Sequence, residues 1–238
     1  MKIDPEVCIA CELCVPYCPM EAISMKDDVA VIDQDECVEC NVCLRSGVCP
    51  TDSLIAPELE WPRSLRRAFS DPMAKHELTG MRGRGTAEMK TNDVTGRYRV
   101  GEAGFAIDVG RPGIGTRLRD VERIYKRLVK LGAQFEEQNP MRQLLKDEKE
   151  GTFKEEVLNE KVSSAIIEFK VPSFKLQEAL QELKECAAEI DTVFSVGLID
   201  KVSEDGSMKN YELARQLGYH PSINAKVCAG IGKPQARF

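Results

Sequence analysis

Histidine is nearly missing from these 238 residues: His76 and His220 are the only two, and they do not have the spacing of a metal-ligand pair. Tryptophan occurs once, at Trp61. No apolar run approaches the roughly 20 residues that span a bilayer, so no membrane span is expected. The Gly/Arg-rich stretch Gly83-Arg84-Gly85-Thr86 lacks the Gly-Lys-Ser/Thr ending of a phosphate loop. It also lacks the preceding strand and following helix that a dinucleotide site requires. Nucleotide chemistry is therefore set aside, and no nucleic-acid partner is expected. No apolar signal segment precedes Cys8, which argues against a secreted, disulfide-framed chain.

Cysteine is abundant by contrast. Eight of ten fall within the first 49 residues, in two near-copies of one pattern. The first run is Cys8, Cys11, Cys14 and Cys18-Pro19; the second is Cys37, Cys40, Cys43 and Cys49-Pro50. The similarity extends between the cysteines, where Ile9-Ala10-Cys11-Glu12-Leu13 matches Val38-Glu39-Cys40-Asn41-Val42. One departure is the loop Leu44 to Val48, two residues longer than its counterpart, in which Gly47 makes a bulge plausible. Ala22–Met25 and Val29–Ile32 flank Lys26-Asp27-Asp28 and read as a short hairpin. A zinc site takes four ligands, commonly as two CxxC pairs or with histidines, so the third cysteine of each triplet would be surplus.

Residues 1–56 resemble the bacterial-type ferredoxins that carry two [4Fe–4S] clusters, whose signature is CxxCxxCxxxCP. In that family the fourth cysteine of each run ligates the other cluster. The resemblance therefore implies Cys8, Cys11, Cys14 and Cys49 for cluster I, and Cys37, Cys40, Cys43 and Cys18 for cluster II. Three thiolates on a tight turn reach three iron corners of one cube, and the fourth must come from elsewhere. Oxygen-sensitive clusters and reduced thiols imply a soluble, cytoplasmic protein of a low-oxygen cell.

Charge divides the chain. Residues 1–56 hold three basic and eleven acidic groups, whereas residues 62–100 hold nine basic and four acidic ones. An acidic module keeps itself soluble and docks on basic faces, part of which is expected within this same chain. The organisation expected is a ferredoxin module at 1–56, a basic Gly/Arg-rich linker with helical pieces at 57–96, and an α+β docking domain at 97–238.

In that domain Tyr98–Val109 ends in a strand-like run. Arg117–Leu131 is an amphipathic helix with Leu118, Val121, Ile124, Leu128 and Leu131 on one face, Thr116 as N-cap and Gly132 as stop. Ala133–Glu137 reads as a short strand, residues 140–160 as a charged helix, and Ser163–Val171 as a strand stopped by Pro172. Ser173 caps a second helix with the stripe Leu176, Leu180, Leu183, Ala187 and Ile190, and Thr192–Ile199 is a further strand. The order strand–helix–strand–strand–helix–strand matches a ferredoxin-like α+β sandwich. Asn224–Gly232 is expected to add a strand or to drape over a partner.

Cys186 and Cys228 read as small buried hydrophobes, and His76 and His220 as surface or loop residues. Gly113-x-Gly115, with Arg111 and Arg117, reads either as an anion cradle at a helix start or as a tight turn with solvated arginines. Residues 80–120 bear a faint resemblance to the iron–sulfur region of 6-hydroxynicotinate reductases, which implies a reductase complex. The expected function is an electron-transfer subunit of an anaerobic oxidoreductase, with other redox subunits as partners. One alternative is a ferredoxin-fused reductase that holds an anionic heteroaromatic or carboxylate substrate at Arg82, Arg84, Arg97 or Arg111, with Glu88 or Asp93 as acid. The other is an effector-binding regulatory module, an idea that rests on fold analogy.

Overall fold

A computed structural model describes residues 1–77, 80, 82, 97–111 and 113–222. The N-terminal segment contains β1 (Lys2–Ile3), β2 (Ile23–Lys26), β3 (Val29–Ile32), α1 (Val42–Arg45) and β4 (Leu54–Ile55). It is built from two halves around a pseudo-repeat. Ile3 pairs with Leu54 in β1–β4, and Ile32 pairs with Ile23 in β2–β3. The backbone bonds Asp4 N–H to Ser53 O and Asp33 N–H to Ala22 O, both 2.8 Å, repeat the same relation. Asp27 and Asp28 both have positive φ, as a two-residue hairpin turn of primed type demands. The longer loop after Cys43 accommodates one turn of helix, α1, which Gly47 leaves in the left-handed region at φ 62°. The first run has only a 3-10 turn, Val15–Tyr17, at that place.

Next come α2 (Ser64–Ser70), β5 (Glu102–Val109), β6 (Thr116–Arg117), α3 (Leu118–Leu131), β7 (Gln134–Phe135), β8 (Leu145–Asp147) and β9 (Thr152–Phe153). They are followed by β10 (Lys161–Val162), β11 (Ala165–Pro172), α4 (Leu176–Ala187), β12 (Phe194–Ile199) and α5 (Lys209–Gln216). Four strands form one antiparallel sheet in the order β12-β5-β11-β7, with α3 linking β5 to β7 and α4 linking β11 to β12. Alternation along the central strands places Ala103, Phe105, Ile107 and Val109 with Ala165, Ile167, Phe169 and Val171 on one face. That face packs on Leu118, Val121, Ile124 and Leu128 of α3 and on Leu176, Leu180 and Leu183 of α4. Phe105 and Phe169 stack at 4.7 Å. Both helices and sheets are thus present, in agreement with an α+β chain.

Leu65 and Phe69 of α2, in the stretch expected as linker, are buried in this larger core. Several local expectations are corrected. Thr116 does not cap α3; it pairs with Val162 in β6–β10, and Arg117 precedes the helix without a side-chain cap. Gly132, at φ 79°, does stop α3. Residues 140–160 are not a helix. They form a 3-10 turn and the β8–β9 hairpin, because the Asp147 carboxylate accepts Lys149 N–H and Glu150 N–H and Gly151 takes φ 66°. Ser173 starts a 3-10 turn rather than capping α4. The buried stripe of α4 runs through Ala179 and Cys186, and Ala187 faces solvent. His76 is buried against the Phe69 ring, not on the surface, whereas His220 is exposed. The α5 helix was not anticipated. Asn224–Gly232 and Cys228 lie outside the described residues. Among the described residues no helix is long and apolar enough to cross a membrane.

The two parts meet along a seam of charge. Glu36 accepts bonds from Arg117, at 3.0 Å, and from Lys161. Arg66, 4% exposed, ion-pairs with Glu160 and donates to the carbonyls of Gln34, Asp35 and Cys37 at 2.8–3.0 Å. Arg63 reaches Glu39 and Gln34.

Candidate metal centre

The CxxCxxC segments bend because three residues per run adopt left-handed backbone without being glycine. Ala10 and Glu39, Glu12 and Asn41, and Glu21 and Asp52 are equivalent pairs, all with φ between 52° and 59°. Such conformations cost energy for side chains with a Cβ and persist where the surroundings impose them. Here they curl each cysteine run around a cavity.

The cavities divide the eight cysteines four and four. One is lined by Cys37, Cys40 and Cys43 of the second run together with Cys18 of the first. The other is lined by Cys8, Cys11 and Cys14 with Cys49. The remaining walls are largely apolar, with Ile9 and Ala30 in the first cavity, that of Cys8, Cys11 and Cys14, and Met1, Ile23 and Val38 in the second, that of Cys37, Cys40 and Cys43. Among the described residues, no group of three or more His, Cys, Asp or Glu is placed to hold a single metal ion. Four soft donors spread around a void are the donor set of a cubane, and an apolar wall keeps water from its edges. The residues present fit that group.

The fourth cysteines are tied down alike and yet differently. Ala22 N–H donates to Cys18 Sγ at 3.2 Å, and Ser53 N–H donates to Cys49 Sγ at 3.3 Å. Cys49 Sγ has the Ser53 hydroxyl at 3.2 Å as well, with Thr51 Oγ1 at 3.7 Å. The Ser53 hydroxyl leads in holding the Cys49 thiol down to about 7, against burial. Burial pushes Cys43 up to about 11 and also raises Cys14 and Cys40.

Arginines hold the second cavity from behind. Arg66 bonds Cys37 O, and Arg45 bonds Cys40 O at 2.7 Å while pairing with Asp71. Asp71 also accepts from Asn41, which lines this cavity. Burial pushes the Glu39 carboxyl up, but bonds from the N-terminal ammonium and Arg63 outweigh it and hold the group below the usual range. Sequence reading did not single out Ser53, Thr51, Arg45, Arg66, Glu36 or Glu39. A signal existed for Arg66, which shares a helical face with Leu65 and Phe69.

The arginines expected as anion or partner contacts do not share one place. Arg117 is engaged by Glu36 and by Asn159 O. Arg97 pairs with Glu136 at 3.1 Å. Arg111 follows β5 in an exposed turn, at the end of the strand opposite Glu102, where Lys170 links the Arg97 carbonyl to the Glu102 carboxylate. That separates them by the length of the strand, about 24 Å at about 3.4 Å per residue. Arg82 is exposed, and its backbone pairs with Lys75 in an isolated antiparallel β-bridge. At the start of α3, Leu118 N–H donates to Glu160 O and Arg119 N–H to Leu158 O, so those amides already have partners. Arg84, Glu88 and Asp93 lie outside the described residues. Cys186 is buried, and burial pushes its thiol up to about 11, as suits a core residue.

Comparison with known proteins bears on the N-terminal segment. A family model described as "4Fe-4S binding domain" matches residues 1–24. Ferredoxin-1 of Rhodobacter capsulatus is 44% identical over 63 residues, covering 24% of this chain and 94% of that protein. A ferredoxin-like protein in the vnf region of Azotobacter vinelandii is 42% identical over 62 residues, covering 24% and 92%. A ferredoxin-like protein of Haemophilus influenzae is 41% identical over 78 residues, covering 28% and 91%.

Proposed function

The chain belongs, through its N-terminal segment, to the family of 4Fe-4S ferredoxins, and from that premise we propose that it is an electron-transfer subunit with two cluster sites, working within a larger anaerobic oxidoreductase. The observation that carries this reading is the pair of cavities, each lined by three cysteines of one run and the fourth of the other. Cys8, Cys11, Cys14 and Cys49 would hold one [4Fe–4S] cluster, and Cys37, Cys40, Cys43 and Cys18 the second. A bound cluster of this kind supplies one-electron oxidation and reduction. The protein's own part is to fix the thiolates, to donate hydrogen bonds to their sulfurs, and to keep water from the apolar walls.

Residues 97–238 serve in this reading as the docking domain, on a sheet whose strand order suits a ferredoxin-like sandwich. Its partners are the redox subunits that deliver or accept electrons, in the cytoplasm of a low-oxygen cell. Anaerobic purification tests the reading directly. About eight iron and eight sulfide per chain are expected, the content of two four-iron cubanes. A preparation that holds zinc and no sulfide, or one four-iron centre only, would overturn the two-cluster assignment.

A further inference from the structure

Resting on the electron-transfer reading above, we infer that electrons pass between this chain and an external protein at one end only, the face over Cys8, Cys11 and Cys14. The partner it fits is a redox protein that offers an apolar contact ringed by basic side chains. The ligands of the second cavity are more deeply covered by the chain itself.

The two ends differ sharply in what surrounds them. Over the first cavity, Ile9 lines the void and is also 61% exposed, and Cys11 is exposed. Val7, Leu13 and Tyr17, from the same run, are also large apolar side chains left in solvent. Exposed apolar groups clustered on so short a stretch mark an interaction surface rather than scatter. Glu6, Glu12 and Asp52 stand exposed at its margin, and no basic side chain occurs between Lys2 and Lys26. An acidic rim around an apolar centre selects a partner of the opposite pattern. It also disfavours a second copy of this chain, whose rim would repel.

At the second cavity Val38 stands where Ile9 stands and is only 1% exposed, and none of its four cysteines is exposed, although Val42 and Leu44 nearby remain in solvent. Met1, Val38, Cys37 and Cys43 are buried in its wall. Outside them, Arg66 covers Cys37 O, Arg45 covers Cys40 O, and Arg63 joins Glu39. Of the acidic residues of that side, Glu36 and Glu39 are engaged by Arg117, Lys161, Arg63 and the N-terminal ammonium, whereas Glu21, Asp33 and Asp35 are exposed. Exposed carboxylates thus stand at both ends, and the first is set apart by the exposed Ile9 and Cys11 that its acidic rim surrounds. Electron transfer falls steeply with distance, so the partner must seat where a ligand sulfur nears the surface.

The test uses the full chain with its clusters, reduced anaerobically, and mitochondrial cytochrome c as the basic acceptor. Ile9→Ser with Leu13→Ser should lower the second-order rate of cytochrome c reduction about tenfold, the loss of a modest apolar contact. Val42→Ser with Leu44→Ser, beside the other cavity, should change it less than about twofold by the same reasoning. Glu6→Gln with Glu12→Gln leaves the apolar centre intact, and should slow the reaction at low salt and flatten its salt dependence. Iron content is measured for every variant, so the charge pair decides the matter if the serine pair loses iron. Equal slowing by the Val42/Leu44 pair, or an unchanged salt dependence in the Glu6/Glu12 pair, overturns the single port. A wild-type chain without cubane iron overturns instead the function on which it rests.

Discussion

Ser53→Ala should lower the reduction potential of one cluster and leave the other in place. The Ser53 hydroxyl lies 3.2 Å from Cys49 Sγ and its side chain is buried, so water cannot replace the bond. The backbone donor of Ser53 remains at 3.3 Å, and only the hydroxyl is lost. A hydrogen bond to a sulfur ligand strengthens as the cluster takes up negative charge, so it favours the reduced state. A differential of about 1 kcal/mol for one such bond corresponds to about 40 mV for a one-electron couple. The pseudo-repeat supplies the reciprocal experiment. Ala22 stands where Ser53 stands, with its N–H on Cys18 Sγ, so Ala22→Ser should raise the potential of the Cys18 cluster by a similar amount. Anaerobic redox titration followed by electron paramagnetic resonance reads both clusters in one sample. A Ser53→Ala shift assigned to the cluster held by Cys37, Cys40 and Cys43, or no shift in either variant, would refute the assignment of Cys49 and the reasoning from its bonds.

Cys18→Ala should deplete the cluster of the second run and Cys49→Ala that of the first, seen as loss of the corresponding resonance signal; loss of the sequence-adjacent cluster in both would reverse the wiring. Arg66→Leu leaves Glu160 without its partner and three carbonyls unsatisfied at the seam, and should cost about 3–5 kcal/mol, read from the denaturant midpoint of the cluster-loaded protein. Stability should fall with acid. Glu39 is held low in the folded chain, so its contribution is complete above the ordinary carboxylate range and is lost as pH drops through the folded value. His76, lowered chiefly by burial, acts in the same direction at higher pH, below about 6.5. Glu39→Gln should therefore flatten the acid limb of a stability-against-pH curve, and an unaltered limb would count against the Glu39 pairing.

The cysteine runs were legible because ligand chemistry imposes a spacing that little else requires. The strands and helices of the larger core were legible for a different reason, the clean periods of Phe105–Val109, Leu118–Leu131 and Ala165–Val171. Local competition defeated the reading elsewhere. The charged residues 146–150 suit a solvated helix by composition, yet the Asp147 side chain captures two backbone amides and turns the chain into a hairpin. Ala10, Glu12, Glu39 and Asn41 carry no glycine signal for their left-handed backbone; the turn around each cavity imposes it from outside the local sequence. Thr116 has the chemistry of a cap but is claimed by the β10 ladder. The misses at Thr116 and at the cavity turns involve tertiary partners that no local window contains, whereas the Asp147 turn is a local bond that composition alone does not reveal.

Charge shows most clearly how a sequence total misleads. The basic residues after position 62 suggest a face that awaits a partner, and the acidic module suggests the opposite face. Much of that complementarity is satisfied internally, since Arg63, Arg66, Arg117 and Lys161 meet acidic or carbonyl groups of residues 34–39 and Glu160. Four cations drawn to one side of the module leave its other side with an uncompensated acidic rim. The seam therefore does two things at once. It fixes the second cavity against the larger part of the chain, and it removes Glu36 and Glu39 from the charge that other proteins meet. A salt titration of partner binding would then report only the carboxylates left exposed, not the full acidic excess of residues 1–56.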